Sequence, residues 1–302
     1  RIAHEKSEII HRIEDPQRYL YVPTAYGLVP LSERIDIQSF VKKIFSADKD
    51  TKIDIKSIGG VLNDAYLIKF SANNEEKKIV VKQFKDWSSF KWFPLTLWTF
   101  GPRTFAVLGR SRLERECAIN QFLYSNGFSV PKLLYVNHGE RLVFMEYIEG
   151  ESLEKLIKRV MDSKFANEMG DELNIVCRVG EKIAKVHALG IALGDTKPEN
   201  ILVGKNGEIY LLDFEQASRN GDKTWDVAEF LYYTGHYVSP FVGIHPAELV
   251  AKAFIKGYLK AGGNPETVKK AGNPKYTKVF SIFVLPHVIF AISNICRNLM
   301  RG

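Results

Sequence analysis

The sequence has 302 residues, of which 45% are hydrophobic and 25% are charged. That balance is typical of a folded globular protein and excludes disorder, collagen and a continuous coiled coil as the main state. Lys and Arg number 42 against 35 Asp and Glu. The resulting formal charge of +7 favours anionic partners such as phosphate groups, nucleic acid or an acidic membrane surface.

Cysteine usage and apolar runs bear on localisation. Three cysteines, far apart and in no CxxC pair, predict neither disulfides nor a cysteine zinc site, so we expect a cytoplasmic protein. No basic segment followed by an apolar run and a small-residue cleavage site opens the sequence. The apolar run 279–296 approaches the roughly 20 residues of a membrane span, but Pro286, His287, Ser293 and Asn294 interrupt it. We predict a buried C-terminal helix there, with a membrane span as the alternative.

The first half of the chain changes pattern twice. Residues 1–50 are predicted to form a helical extension, because Ile37, Phe40, Val41 and Ile44 share one helical face. From residue 51 to 147, short extended runs separated by turns predict an antiparallel sheet, interrupted by one helix at about 110–125 that ends at Asn-Gly. This part is therefore predicted to be small and rich in β-structure.

Residues 148–302 have a mainly helical pattern that contains one hairpin signal. The apolar residues 201–203, a Gly-Lys-Asn-Gly turn and the run 208–212 predict two short antiparallel strands. Asp195 and Asn200 precede the first strand, and Asp213 follows the second. The hairpin is therefore expected to bring these three side chains together, in an α+β protein whose second part is larger and mainly helical.

Two carboxylates and an amide supply the oxygen ligands and the base that Mg²⁺ and phosphoryl transfer require. Residues 193–200 read Leu-Gly-Asp-Thr-Lys-Pro-Glu-Asn, and residues 213–215 read Asp-Phe-Glu. This arrangement resembles the protein-kinase superfamily, in which a catalytic loop H-R-D-x-x-x-x-N and a metal motif D-F-G are separated by a strand pair. The spacing from Asp to Asn is the same. A polar turn that only caps a hairpin is the alternative.

The resemblance implies a bilobal protein-kinase-like fold, with a small antiparallel-β N-lobe and a mainly helical C-lobe, that uses ATP and Mg²⁺, or Mn²⁺ in its place. By the same resemblance, Asp195 orients or accepts the proton of the attacking hydroxyl group and Lys197 neutralises charge on the transferred phosphoryl group. Asn200 and Asp213 are expected to hold the metal ions.

The resemblance also implies residues upstream that bind the nucleotide. Lys82, in Val-Val-Lys, matches the strand lysine that pairs with the phosphates, and Glu116 is our choice for its helical partner, with Glu114 as the alternative. Gly59-Gly60 occupies the place of the phosphate-covering loop, although a plain hairpin turn also explains two glycines. Backbone groups at Glu146 and Ile148 are expected to meet the adenine edge, with an ordinary strand end as the alternative.

Two departures point away from the ordinary protein kinases. Leu193-Gly194 stands in place of His-Arg, and Glu215 stands in place of the D-F-G glycine. The sequence is therefore similar to the atypical branch, which includes RIO-type kinases, the lipopolysaccharide-kinase group and aminoglycoside or choline phosphotransferases. Asp226, only 13 positions after Asp213, matches an aspartate that braces the catalytic loop, with a helix N-cap as the alternative. Regulation through a long activation loop is not expected.

The segment 84–105 is an insertion with eight aromatic residues, including Trp87, Trp92 and Trp98. Aromatic and basic residues together suit a peripheral membrane contact or a lipid-linked or glycan acceptor, whereas packing over the small lobe is the alternative. We do not expect a nucleic-acid partner, because the basic residues form no concentrated stripe.

The function predicted from the sequence is a Mg²⁺-dependent ATP phosphotransferase, similar to an atypical Ser/Thr protein kinase. It is expected to transfer the γ-phosphoryl group to a hydroxyl group of a protein acceptor. The alternatives are a kinase for a small molecule, lipid or glycan, and a pseudokinase that binds nucleotide without transferring phosphate.

Overall fold

The computed structural model describes residues 20–24, 27–31, 53–58, 64–72, 75–85, 109–163, 169–238 and 243–298. Contacts divide these residues into two compact units. The first unit contains the described residues up to Ile148, together with Phe214–Gln216. The second unit contains the described residues from Glu149 to Asp213 and from Ala217 onwards.

The first residues that the structure describes form a β-hairpin, in the region for which a helical extension was predicted. Strands β1 (Leu20–Thr24) and β2 (Gly27–Leu31) pair antiparallel, with Thr24 opposite Gly27. Each strand carries a proline, which lacks the N–H that a helix interior needs, among Leu, Val and Tyr, which favour strands. The helical prediction is therefore wrong for these residues, and the stretch 37–44 lies outside the described part.

A five-stranded antiparallel sheet forms the centre of the first unit, in the order β3-β4-β5-β7-β6. Its strands are β3 (Ile53–Ser57), β4 (Asp64–Ala72), β5 (Glu75–Gln83), β6 (Leu133–Asn137) and β7 (Leu142–Glu146). Helix α1 (Gly109–Ser125) lies between β5 and β6 in the chain. The predicted antiparallel β-structure of this part is confirmed.

Helix α1 packs against one face of this sheet. The buried cluster there joins Leu113, Cys117 and Ala118 of the helix to Phe84, Leu133, Val136, Val143 and Met145, with Val80 packed against it. Because side chains alternate along an extended chain, Val80, Lys82 and Phe84 share the face that meets the helix. The helix ends at Asn126-Gly127 as predicted, and Gly127 adopts a φ of 81°, which glycine tolerates.

The second unit is mainly helical, which confirms the predicted α+β fold class. Its strands are short: β8 (Gly150–Ser152), β9 (Ile191–Ala192), β10 (Ile201–Gly204), β11 (Ile209–Leu211) and β12 (Ser218–Arg219). The helices are α2 (Leu153–Asp162), α3 (Gly170–Ala188), α4 (Lys223–Gly235), α5 (His245–Lys260), α6 (Pro265–Ala271), α7 (Pro274–Phe280) and α8 (Pro286–Arg297).

Helices α3 and α5 approach each other closely at two glycines. A Cβ atom built on Gly257 would lie 1.8 Å from the carbonyl oxygen of Cys177, and one on Gly180 would lie 2.1 Å from that of Phe254. Both distances are far below van der Waals contact, so only glycine allows the two backbones to meet in this way. The crossing lies in the middle of α3, about two turns before the helix ends at Ala188.

The apolar run at 279–296 is divided in two rather than continuous. Helix α7 ends at Phe280, and α8 begins at Pro286, whose ring suits the first turn of a helix. Helix α8 buries Val288, Ile292, Ser293 and Cys296, whereas Phe290 is exposed. Among the residues that the structure describes, no helix is long and apolar enough to cross a membrane.

Candidate active site

The hairpin predicted between Asn200 and Asp213 is present as β10 and β11. Ile201 pairs with Leu211 and Val203 with Ile209. The turn contains Gly207 at a φ of 74°, and Gly204 N–H donates to the carbonyl of Glu208. Beyond the ladder, Leu212 N–H donates to the carbonyl of Asn200 at 2.9 Å. The backbone of Asn200 therefore lies beside the residue that precedes Asp213.

A compact loop precedes the hairpin and collects the polar side chains. The Nζ of Lys197 lies 3.1 Å from Oδ1 and 3.2 Å from Oδ2 of Asp195. The side-chain amide of Asn200 donates to the Asp195 carbonyl at 3.3 Å. A single 3₁₀ turn, Pro198–Asn200, brings Asn200 back towards Asp195. The proline at its start favours the turn, because its fixed φ angle suits the first residue of a helix.

The electrostatics of this loop centre on Asp195. Burial raises the pKa of its carboxyl group, Lys197 opposes that effect, and the neighbouring Asp213 carboxylate raises the pKa further. Burial also acts against the charged form of Lys197, but the carboxylates of Asp195 and Glu229 outweigh it and raise the lysine pKa. Lys197 therefore stays charged, and Asp195 lies within the electrostatic reach of Asp213.

Asp226 holds the loop from helix α4. Its carboxylate is fully buried and accepts the backbone N–H of Leu193 at 2.6 Å and that of Gly194 at 2.8 Å. Gly194 adopts a φ of 80°, a conformation that glycine reaches without strain. Helix α4 is capped instead by Asp222, whose carboxylate accepts from Thr224 N–H, so the N-cap alternative for Asp226 is wrong.

The sequence analysis missed three neighbours of this brace. Thr196 donates its backbone N–H to Glu229 Oε2 at 2.6 Å and its hydroxyl to the Asp226 carbonyl at 2.7 Å. His187 is buried, with Nε2 donating to Asp226 and Nδ1 bonded to the Tyr258 hydroxyl. Glu229 lies three residues after Asp226, about one helical turn along α4. That spacing is the feature of the sequence that indicates Glu229.

In the first unit, the structure distinguishes Glu116 from Glu114. The Nζ of Lys82 lies 3.3 Å from Glu116 Oε2, and both side chains are buried. Glu114 pairs instead with Arg110, one turn away on the exposed side of the helix. Glu116 Oε2 also accepts the backbone N–H of Phe214 at 2.7 Å.

Four further residues were predicted to contact the nucleotide: Gly59, Gly60, Glu146 and Ile148. Gly59 and Gly60 lie outside the described residues, as does most of the insertion 84–105. Glu146 ends strand β7, and its N–H donates to the Lys132 carbonyl at 2.9 Å, so any contact with an adenine edge falls to its carbonyl group. Ile148 is the residue at which the chain leaves the first unit and continues into the second. The roles of all four residues stay predictions.

Asp213 and Asn200 are the candidate metal ligands, and their chemistry fits a divalent cation. The amide nitrogen of Asn200 is engaged by the Asp195 carbonyl, so its amide oxygen is the atom available to a ligand. Asp213 has a φ of 64°, which costs a non-glycine residue about 1 kcal/mol and is typical of functional positions. The described residues form no group of three or more His, Cys, Asp or Glu that could hold a metal.

Glu215, which replaces the glycine of the metal motif, is not a third ligand. Its carboxylate receives both bonds from one guanidinium nitrogen of Arg112, at 2.8 and 2.9 Å. Arg112 is fully buried and Glu215 is 4% exposed. This ion pair was not predicted from the sequence. The feature that indicates it is the acidic residue at position 215, where the metal motif has glycine.

Comparison with known proteins agrees with this geometry. Residues 107–244 match the protein kinase domain family. That segment includes Glu116 and the whole loop and hairpin from Asp195 to Asp213. The match confirms the resemblance to the protein-kinase superfamily that the sequence indicates.

Three individual relatives each match part of this chain. The KEOPS complex subunit Bud32 of Pyrococcus abyssi is 32% identical over 113 residues, which cover 37% of this chain and 48% of the relative. A probable serine/threonine-protein kinase BUD32 homolog of Archaeoglobus fulgidus is 31% identical over 143 residues, or 47% of this chain and 64% of the relative. The serine/threonine-protein kinase PknD of Chlamydia trachomatis serovar D is 32% identical over 119 residues, which cover 37% of this chain and 13% of that protein. The chain therefore spans between about half and two thirds of the two archaeal relatives.

Proposed function

Because this chain carries a protein-kinase-like domain, we propose that it is a Mg²⁺-dependent ATP phosphotransferase that transfers the γ-phosphoryl group to a hydroxyl acceptor. The observation that carries the proposal is the loop that joins Asp195, Lys197 and Asn200, continued by the bond from Leu212 N–H to Asn200. A turn that merely capped a hairpin would not need a partly buried carboxylate paired with a lysine at its centre.

Each residue has a distinct role in this proposal. Asp195 orients the acceptor hydroxyl group and takes its proton. Its Oδ1 has the Lys197 ammonium group as an ionic neighbour at 3.1 Å but makes no hydrogen bond within the described part of the chain. Lys197, held beside it, neutralises charge that develops on the transferred group. Asp226 fixes the backbone N–H groups of Leu193 and Gly194, so that the loop is preorganised before substrate arrives.

The proposal also gives roles to the residues that are predicted to bind the nucleotide and its cation. Asn200 and Asp213 would hold the cation, and Lys82, oriented by Glu116, would bind phosphate oxygens. When bound, ATP supplies the phosphoryl group and Mg²⁺ neutralises charge on its phosphates. The protein's share of the rate is then positioning and electrostatic stabilisation, which are the main contributions in phosphoryl transfer.

Transfer of radiolabelled phosphate from ATP tests the assignment. The wild-type protein is incubated with protein, lipid and small-molecule fractions, and labelled products are separated by class. Asp195→Ala should abolish transfer while ATP binding, measured by calorimetry, persists. Asp171→Ala, at an exposed carboxylate in the first turn of α3, is the matched control and should transfer normally. Near-normal turnover by Asp195→Ala would show that the base is assigned wrongly.

Metal use has its own test. Asp213→Ala and Asn200→Ala should each weaken the ATP affinity measured with Mg²⁺ and change the affinity measured with EDTA little, because these side chains would act through the cation. Repeating both titrations with Mn²⁺ asks whether either ion serves. Equal losses with and without metal would contradict the proposed ligand roles.

For the acceptor, we favour a Ser or Thr hydroxyl group of a protein, because the kinases among the relatives are serine/threonine-protein kinases by name. Label in the lipid, glycan or small-molecule fraction would instead support a kinase for that class. ATP binding without transfer to any fraction would support a pseudokinase, the alternative raised by Glu215 in place of glycine.

A further inference from the structure

Helix α1 presents two buried charged residues, Arg112 and Glu116, four positions apart. Residues with this spacing lie on the same face of a helix, one turn above each other. Arg112 is 0% and Glu116 is 1% exposed. Two fully buried charges of opposite sign on one helical face need a structural reason, because each costs free energy to remove from water.

Glu116 makes the first set of contacts. Its Oε2 lies 3.3 Å from Lys82 Nζ, on strand β5, and accepts the N–H of Phe214 at 2.7 Å. This single oxygen therefore joins the helix to the strand that carries Lys82 and to the segment that follows Asp213.

Arg112 makes a second, parallel set one turn earlier. Its Nη1 donates to the carbonyl of Lys85 at 2.7 Å, three residues after Lys82. Its Nη2 donates to both carboxylate oxygens of Glu215, the residue after Phe214. Phe84 lies next to both sets, with its ring centre 5.4 Å from Lys82 Nζ and 5.8 Å from the Arg112 guanidinium carbon.

Two sets of contacts one turn apart restrain the helix more than one set does. With the Glu116 contacts alone, rotation of α1 about its axis would carry Glu116 away from Lys82. The Arg112 contacts oppose that rotation, because they hold the same two neighbours at a second height along the axis. A guanidinium–carboxylate pair is directional and geometrically specific, which makes it suited to this task.

We propose that Arg112 and Glu215 are positioning residues that hold α1 at the rotation in which Glu116 meets Lys82. This inference rests on the proposed function, because it gives the aligned Lys82 a purpose. It also explains why Glu215 replaces the glycine of the metal motif, because this acid anchors the helix. The presence of Glu215 therefore does not indicate that the site has lost its function. A kinase-like domain built in this way keeps its helix aligned without a phosphorylated activation loop.

Hydrogen exchange at the Phe214 amide tests the proposal without any enzymatic activity. Glu215→Gln removes the charge and keeps the size of the side chain, and it should speed exchange of that amide by about ten-fold or more, since the amide reports the Glu116 contact. Glu114→Gln makes the same change two residues from Glu116, at a carboxylate paired with Arg110, and should leave exchange unchanged. Wild-type exchange in Glu215→Gln would overturn the proposal.

Kinetics separate positioning from general stability. Glu215→Gln should raise the KM for ATP by about ten-fold. In a Lys82→Met background, which should transfer no phosphate, it should leave the Kd for ATP measured by calorimetry unchanged, since Glu215 acts through Lys82. If Glu215→Gln lowers the Tm but leaves both the KM for ATP and Phe214 exchange at the values of Glu114→Gln, the ion pair is only structural and the proposal fails.

A double variant covers the case in which Glu215→Gln does not fold. Arg112→Met with Glu215→Met replaces the ion pair with apolar side chains, which commonly restores stability. We expect a Tm near that of the wild type with fast Phe214 exchange, because methionines do not supply the directional contact. Slow exchange in this folded variant would overturn the proposal. If the wild-type chain transfers no phosphate, the proposed function fails, but the exchange comparison still tests the anchor.

Discussion

The carboxylate of Asp226 accepts the backbone N–H of Gly194 at 2.8 Å, immediately before Asp195 in the chain. Its other oxygen accepts the N–H of Leu193 and that of the His187 ring. The conformation of the loop is therefore set from helix α4, through a buried group that touches no substrate in the proposed mechanism. Asp226 therefore holds the loop, whereas Asp195 acts in the proposed chemistry. The role of Asp226 can be tested by stability and that of Asp195 by phosphate transfer.

Asp226→Asn should destabilise the protein by about 3 kcal/mol, because the amide NH₂ cannot accept one of the N–H groups that now bond to the carboxylate. Urea unfolding measures the loss. Asp195→Asn should cost much less stability while abolishing transfer, since Asp195 acts in chemistry. An Asp226→Asn variant as stable as the wild type would contradict the bracing role.

Lys82→Met should both reduce ATP binding and destabilise the fold by about 3 kcal/mol, because it removes the cation beside the buried Glu116 carboxylate. Adding Glu116→Gln should recover most of that stability, since the neutral amide oxygen still accepts the Phe214 N–H. Phosphate transfer should stay absent in the double variant. Thermal unfolding and transfer assays on the single and double variants check whether stability and activity separate in this way.

Gly257→Ala should destabilise the protein by about 1–3 kcal/mol or more, because the added methyl group would overlap the Cys177 carbonyl and force α3 and α5 apart. Gly170→Ala is the matched control: a Cβ there meets nothing within 4 Å, and the change should be neutral or stabilising by about 0.4–1 kcal/mol. Equal Tm values for the two variants would contradict the close helix crossing.

Alkylation by iodoacetamide at pH 8 should label Cys177 in the folded protein and spare Cys117 and Cys296. Burial raises the pKa of Cys117 well above its usual range, with the Glu116 carboxylate adding to the effect, and raises that of Cys296 to about 12. Both thiols are therefore protonated at pH 8, and the thiolate is the reactive form. Mass spectrometry after labelling in urea, where all three should react, provides the control. Labelling of native Cys117 would contradict its burial against the sheet.

Local features of the site were accessible from the sequence because they depend on residues close together in the chain. The Gly-Lys-Asn-Gly turn predicted the hairpin, and the five-residue step from Asp195 to Asn200 predicted the loop. Each of these patterns is a consequence of backbone geometry that acts over a few residues.

Other features depended on contacts that no local pattern encodes. Glu114 and Glu116 have the same chemistry, and only the packing of α1 on the sheet decided which of them meets Lys82, 34 residues away. Arg112 and Glu215 are 103 positions apart, and neither has a periodic signal. The hairpin at 20–31 and the division of the apolar run at 281–285 differed from expectation, because proline positions outweighed the apolar pattern.

The sequence by itself thus determined the α+β class, the loop and hairpin that carry Asp195, Asn200 and Asp213, and the position of Lys82 on a strand. Only the tertiary structure decided the partner of Lys82, the brace at Asp226 and the buried pair of Arg112 with Glu215. The physical reason is that backbone conformation follows from neighbours in the chain, whereas the placement of a buried charge is determined by whichever distant group can neutralise it.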